Sequence, residues 1–268
     1  MPSSDIRETT APLRDAATVV LARDGDHGIE VFLQRRVKQM AFAGGMTVFP
    51  GGGVDPRDAD ATIGWTGPDP QWWAEAFATS RDTAQALVCA AIRETFEECG
   101  VLLASDADGV FTDPAALADD RGKLVDKSLS LAGFLRARGL TLRADLLRPL
   151  AHWITPKNEK RRYDTRFFLA AMPSGQVADD NTSEAEVARW VAVSDALDAW
   201  RAGKHFLLPP TWAQLDAIAG HDTVADLLAT DHPISAIEPD VSVGAGLRGL
   251  HFPDAQRYFA GMGEQPVP

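Results

Sequence analysis

A chain of 268 residues is sized for one large domain or two small ones. Apolar residues make up 45% of it, with 7 Trp and 12 Phe, enough to bury a substantial core. The net charge of -12 and a pI near 4.9 argue against a nucleic-acid groove, and no apolar run approaches the ~18 residues of a membrane span.

Residues 1–14 lack the basic-then-apolar pattern of a secretory signal. Residues 16–23 and 29–35 are rich in β-branched side chains and flank Asp24-Gly25-Asp26-His27-Gly28, which predicts a β-hairpin. Arg35 and Arg36 close its second strand. They read either as contacts for a substrate phosphate or as ordinary surface charges. A short strand over 46–49 feeds the turn Phe49-Pro50-Gly51-Gly52-Gly53, where glycine lets the backbone approach a ligand closely. Residues 56–81 carry Trp65, Trp72 and Trp73 with Pro68 and Pro70, the composition of a partly ordered flap. Packing of these rings onto the domain or a second subunit is favoured over stacking on a base.

A helix is predicted over 83–99, with Ser80 or Asp82 as its cap and Gly100 as its stop. Val88, Ile92, Thr95, Phe96 and Cys99 recur at helical spacing and predict the buried stripe. Glu94, Glu97 and Glu98 fall outside that stripe, and their three- and four-residue spacings make the carboxylates converge. Taken alone, Arg-Glu-x-x-Glu-Glu reads as a solvated helix face. Coupled to the Gly-Gly turn, it reads as a cation site, because a hard divalent ion accepts carboxylate oxygens together with substrate phosphate. Arg93 stands one turn before Glu97 and would orient it. Cys89 and Cys99 lie about 15 Å apart along this helix, too far for a disulfide. Both read as reduced packing residues of a cytoplasmic protein.

Residues 114–139 predict one or two helices with Leu117, Leu124, Val125, Leu129, Leu131 and Leu135 as apolar positions. Such an arm either shapes a cleft or meets a partner chain. Strands follow at 150–155, 165–171 and 184–193, and helices at 194–200, 210–218 and 224–228. Arg161 and Arg162 with Tyr163-Asp164-Thr165 read as the lining of a pocket mouth. His152 follows strand alternation and reads as a satisfied interior residue. The tail, 239–268, is glycine- and proline-rich and reads as irregular surface chain. Gly244-Ala-Gly246-Leu-Arg-Gly249 matches a dinucleotide fingerprint by letters only, since neither a strand before it nor a helix after it is predicted.

The coupled segments resemble the Nudix box, G-x5-E-x7-R-E-U-x-E-E-x-G-U with U aliphatic. Gly52 takes the first glycine, and Arg93, Glu94, Glu97, Glu98, Gly100 and Val101 the later positions. Asp58 stands at the first glutamate and Thr95 at a U position. About two dozen extra residues separate Asp58 from Arg93, an insertion at about 59–81 in a loop where added length costs little. Phe49-Pro50-Gly51-Gly52, His152-Trp153-Ile154-Thr155-Pro156, Asp164-Thr165-Arg166-Phe167-Phe168 and Leu208-Pro209-Pro210-Thr211 are similar to long Nudix proteins related to the animal peroxisomal coenzyme A diphosphatases.

The resemblance implies an α/β fold, an α/β/α sandwich with a mixed sheet and helical insertions, as a single domain over 1–268. It implies hydrolysis of a nucleoside diphosphate linked to another moiety, with Mg²⁺ or Mn²⁺ held by Glu94, Glu97 and Glu98. Gly51, Gly52 and Gly53 would contribute to substrate binding. Glu94 or Glu184 would be the general base, the latter because family members often recruit one from that region. Coenzyme A or acyl-coenzyme A is the implied substrate. ADP-ribose or a dinucleotide such as NADH is the alternative, and a catalytically inactive ligand sensor a third reading. The upstream coenzyme A signature expects an arginine four residues before Gly45, where this chain has Ala41, and the final Pro-Val-Pro is not a peroxisomal address. Homodimers are common in the family, which makes a homodimer one candidate assembly without the sequence deciding it, and no nucleic acid or membrane is expected as partner.

Overall fold

The hairpin forms where alternation and glycine place it. Strand β1 (Leu13–Gly25) and strand β2 (Gly28–Arg36) pair antiparallel, and Gly25 faces Gly28 across the turn. Gly28 turns at φ +102°, which glycine adopts without strain. The structure is a computed structural model and describes residues 11–37, 43–60, 62–182, 185–242 and 246–264. Most of the stretch read for a signal pattern, Ala41, Glu184, Gly244 and the final Pro-Val-Pro lie outside the described residues.

The chain continues through β3 (Thr47–Val48), β4 (Gly51–Gly53), β5 (Trp65–Thr66), α1 (Pro70–Ala76) and α2 (Arg81–Cys99). Next come β6 (Ala104–Asp106), β7 (Gly109–Val110), α3 (Ala118–Val125), α4 (Leu131–Arg138) and β8 (Thr141–Arg143). After them run β9 (Leu147–Ile154), β10 (Arg162–Ala171) and β11 (Ala185–Ala192), then α5 (Val193–Arg201), α6 (Pro209–Ile218) and α7 (Val224–Ala229). The last elements are β12 (Ala236–Ile237), β13 (Asp240–Val241), β14 (Leu250–His251) and α8 (Ala255–Gly261).

The main sheet is mixed, in the order β11-β2-β1-β10-β9-β12, with β3 on β2 and β4 on β1. β1 runs parallel to β10 and antiparallel to β2. Side chains alternate across the sheet. Ala17, Val19 and Leu21 of β1 enter one core with Trp73, Leu87, Ile92 and Phe96, whereas Val20 and Ala22 enter another with Trp200, Trp212 and Leu215. Helices therefore cover both faces, the α/β/α sandwich expected.

Four local expectations change. The glycine segment is an extended strand, β4, paired with β1 from Ala16 to Thr18. Helix α2 is buried nearly all round rather than along one stripe, so Glu94 and Glu98 are buried too. Small residues such as Ala84, Ala90 and Ala91 let packing close over the helix on more than one side. Val125 is 49% exposed, turned out of the core that Leu124 joins. The tail is not irregular: α8 places Tyr258, fully buried, against Trp200 and Trp212 at ring separations of 5.4 Å each.

The insertion is tied down at both ends. Trp65 pairs in register with Leu142, and Trp73 has no exposure, lying 5.5 Å from the ring of Phe168. Trp72 beside it stays 44% exposed. Residues 246–249 form a 3-10 turn between β13 and β14, without the strand-to-helix context of a dinucleotide loop.

Candidate active site

Strand β4 is the contact between the sheet and α2, and glycine is what permits it. A Cβ on Gly51 would lie 2.4 Å from the Ala17 carbonyl oxygen. A Cβ on Gly52 would lie 2.6 Å from Oε1 of Glu94. The Gly51 amide donates to Glu98 Oε2 at 2.8 Å, and Gln34 Nε2 donates to the same oxygen. Ser80 caps the start of α2 by accepting from the Thr83 amide at 3.1 Å, and Gly100 ends it at φ +71°. The helix register fixed by these ends turns Glu94 and Glu98 toward β4.

Arg93 is the hub of the carboxylates. Its Nη1 donates to Glu94 Oε1 at 2.6 Å and to Glu97 Oε2 at 3.2 Å. Nη2 donates to Asp58 Oδ2 at 2.9 Å and to the Gly53 carbonyl at 3.0 Å, and Nε donates to Asp58 Oδ1 at 3.0 Å. Burial works against the charge of Arg93, but the bonds to Asp58 and the field of Glu94 and Glu97 outweigh it, so its pKa is raised. Glu97 is raised as well, by burial first, with Arg93 only partly offsetting it. Asp58 is 3% exposed and fills the position where the box expects glutamate.

These residues fit a hard divalent cation by their chemistry. Asp58, Glu94 and Glu97 share the guanidinium of Arg93, Glu98 beside them is bonded to Gln34 and the Gly51 amide, and gathering buried carboxylates is costly unless a cation joins them. All-oxygen donors suit magnesium or manganese. Among the described residues no three acidic, His or Cys side chains close on a single point. Arg93 draws Glu94 and Glu97 together, and Glu98 is turned to Gln34 and Gly51.

Glu94, Glu97, Glu98, Arg93 and the three glycines line one cleft of about 910 Å³, a volume typical of a small-molecule site. Arg36 lines it as well, and Arg35 does not. Alternation along β2 sends the two arginines to opposite faces, and Arg35 pairs with Glu186 at 3.1 Å. Tyr163, Thr165 and Phe167, alternate residues of β10, add a wall. Arg162 is turned away: it is 7% exposed and bonded to the Thr155 carbonyl and Glu238. His152 is satisfied by Asp164 at 2.5 Å, as its alternation predicts.

Two supports of the site escape the sequence reading. Gln34 shares a strand face with Phe32 and Arg36, a period-two signal that was there to be found. Arg121 of α3 donates from Nε to the Glu97 carbonyl at 3.1 Å and from Nη1 to Asp179 at 2.7 Å. No spacing in the chain announces that contact.

The family profile described as the NUDT19 Nudix domain matches residues 75–218. The putative nudix hydrolase 7 of Caenorhabditis elegans is 30% identical over 219 residues, spanning 80% of this chain and 63% of that protein, so less than two thirds of that relative is covered. The acyl-coenzyme A diphosphatase NUDT19 of Homo sapiens is 25% identical over 283 residues, 84% of this chain and 73% of that one. The crystal structure of a NUDIX hydrolase from Alicyclobacillus acidocaldarius matches with a TM-score of 0.69 at 31% identity, covering 83% of this chain and 98% of that chain. With the box carboxylates on α2 and the glycine strand packed against them, this chain belongs to the Nudix hydrolases.

Proposed function

We propose that this chain hydrolyses the phosphoanhydride bond of a nucleoside diphosphate joined to another moiety, with Mg²⁺ or Mn²⁺, and that coenzyme A or an acyl-coenzyme A is the substrate. The observation that carries the reaction is the gathering of Glu94, Glu97 and Glu98 beside Gly51, Gly52 and Gly53 in one cleft. The substrate is supported by relatives named acyl-coenzyme A diphosphatase and by a cleft large enough for a nucleotide.

A divalent ion there would supply screening of the phosphate oxygens and a more acidic water for in-line attack. Glu94, Glu97 and Glu98 would hold it. Arg93, anchored by Asp58 and the Gly53 carbonyl, orients Glu94 and Glu97. Gln34 and the Gly51 amide orient Glu98. Gly53, where no atom stands within 4 Å of the place a Cβ would take, leaves room for the diphosphate, and Arg36 lines the same cleft with a positive charge. The proton of the attacking water goes to a carboxylate: Glu94, which lines the cleft, or Glu184, which lies outside the described residues. The free, buried Cys89 and Cys99 suit a reducing, cytoplasmic compartment.

The test is a substrate panel of coenzyme A, an acyl-coenzyme A, ADP-ribose and NADH with Mg²⁺ or Mn²⁺. Fastest turnover is expected on the coenzyme A compounds. Activity confined to ADP-ribose or NADH removes that substrate, and no turnover of any of them removes the reaction and leaves a ligand sensor.

A further inference from the structure

A second groove of about 450 Å³ adjoins the cleft. It is lined by Thr112, Ala118, Arg121, Val125, Val177 and Asp179, among others, and Val125 and Asn181 line both spaces. It starts where the catalytic helix stops. Gly100, also in its lining, is three residues past Glu97, or about 5 Å along the helix axis.

The chemistry of the lining is selective. Among the described residues Arg121 is the one cation in its lining, and it is already bonded to the Glu97 carbonyl, to Asp179 and to the Asn181 carbonyl. With Asp179 paired to Arg121, Asp113 leaves the described lining net negative, so a further phosphate is disfavoured there. Val125 and Val177 are 49% and 79% exposed. Two β-branched apolar side chains bare on one groove are not the single scattered exposures of an ordinary surface. Thr112, Asp113 and Asn181 add hydrogen-bonding groups suited to amides. The volume equals about fifteen water volumes at ~30 Å³ each, room for a chain of comparable heavy-atom count.

We propose that this groove is the subsite for the non-nucleotide arm of the substrate, a neutral, partly apolar, amide-bearing chain of the pantetheine kind. The inference rests on the diphosphatase reading above, since the diphosphate at Glu94, Glu97 and Glu98 is what delivers the arm to the groove.

Val177→Glu and Ala118→Trp test it, the first by adding a charge and the second by filling space. Both positions are exposed, so the fold tolerates the changes. The quantity measured is kcat/KM for coenzyme A divided by kcat/KM for ADP-ribose, which lacks the arm. In an active enzyme this ratio falls about tenfold in each variant, the discrimination an apolar pocket ordinarily gives. A ratio within twofold of the parent in both variants overturns the subsite. If the parent turns over neither compound, the reaction itself has failed, and calorimetric titration with pantetheine decides the groove. Saturable binding to the parent that weakens in both variants then supports it, and no saturable binding, or binding unchanged in both, overturns it.

Discussion

Asp58 and Arg93, 35 residues apart, form a two-pronged buried ion pair, Nε to Oδ1 at 3.0 Å and Nη2 to Oδ2 at 2.9 Å. The segment between them contains β5, α1 and the first half of α2. The insertion thus leaves and returns without disturbing the end of the box that matters. The shorter aspartate still reaches because a 3-10 turn at Pro56–Ala59 carries it to the helix. Arg93→Ala strands buried carboxylates and is expected to cost about 3–5 kcal/mol, read by urea unfolding. Arg93→Lys recovers little of that, since an ammonium cannot reproduce the forked contacts.

Glu97→Gln and Glu98→Gln are expected to lower kcat by about 10²–10³-fold while circular dichroism and Tm stay near the parent. Near-parent turnover in both variants ends the assignment of these carboxylates to cation binding.

The two glycines of β4 separate stability from activity. Gly51→Ala drives a methyl into the Ala17 carbonyl, which cannot yield, and should cost about 1–3 kcal/mol of stability. Gly52→Ala meets the movable carboxylate of Glu94, so the fold survives and turnover drops. Denaturant midpoints and initial rates measured on both variants check the contrast.

Acid stability carries a signature of Asp164. Burial pushes its carboxyl up, but the His152 bond and Arg166 outweigh this and hold the folded pKa below its ordinary 3.8. Its contribution to stability is therefore present above 3.8 and lost as pH falls through that value toward the lower folded pKa. Unfolding measured between about pH 5 and pH 3 should show a shallower loss in Asp164→Asn than in the parent.

Tyr258→Ala tests the tail. Removing a buried ring that also donates to the Leu207 carbonyl at 2.7 Å should cost about 3–5 kcal/mol. A thermal midpoint unchanged by the substitution would contradict the packing of α8.

What the sequence determined by itself was local and periodic. Ser80 and Gly100 bound the helix, the spacing of Glu94, Glu97 and Glu98 gave them a shared face, and Gly25 to Gly28 turned the hairpin. Period and capping depend on neighbours a few residues away, so they are legible without the fold. The tertiary structure alone decided which faces are covered and what the site residues touch. Glu98 is fixed by Gln34, 64 residues distant, Glu97's carbonyl by Arg121, and Arg35 is turned from the cleft that Arg36 enters. Tyr258 in a glycine- and proline-rich tail gives no periodic sign that Trp200 and Trp212 await it. Such contacts join segments whose separation is set by loop closure and packing, and no local pattern encodes the partner.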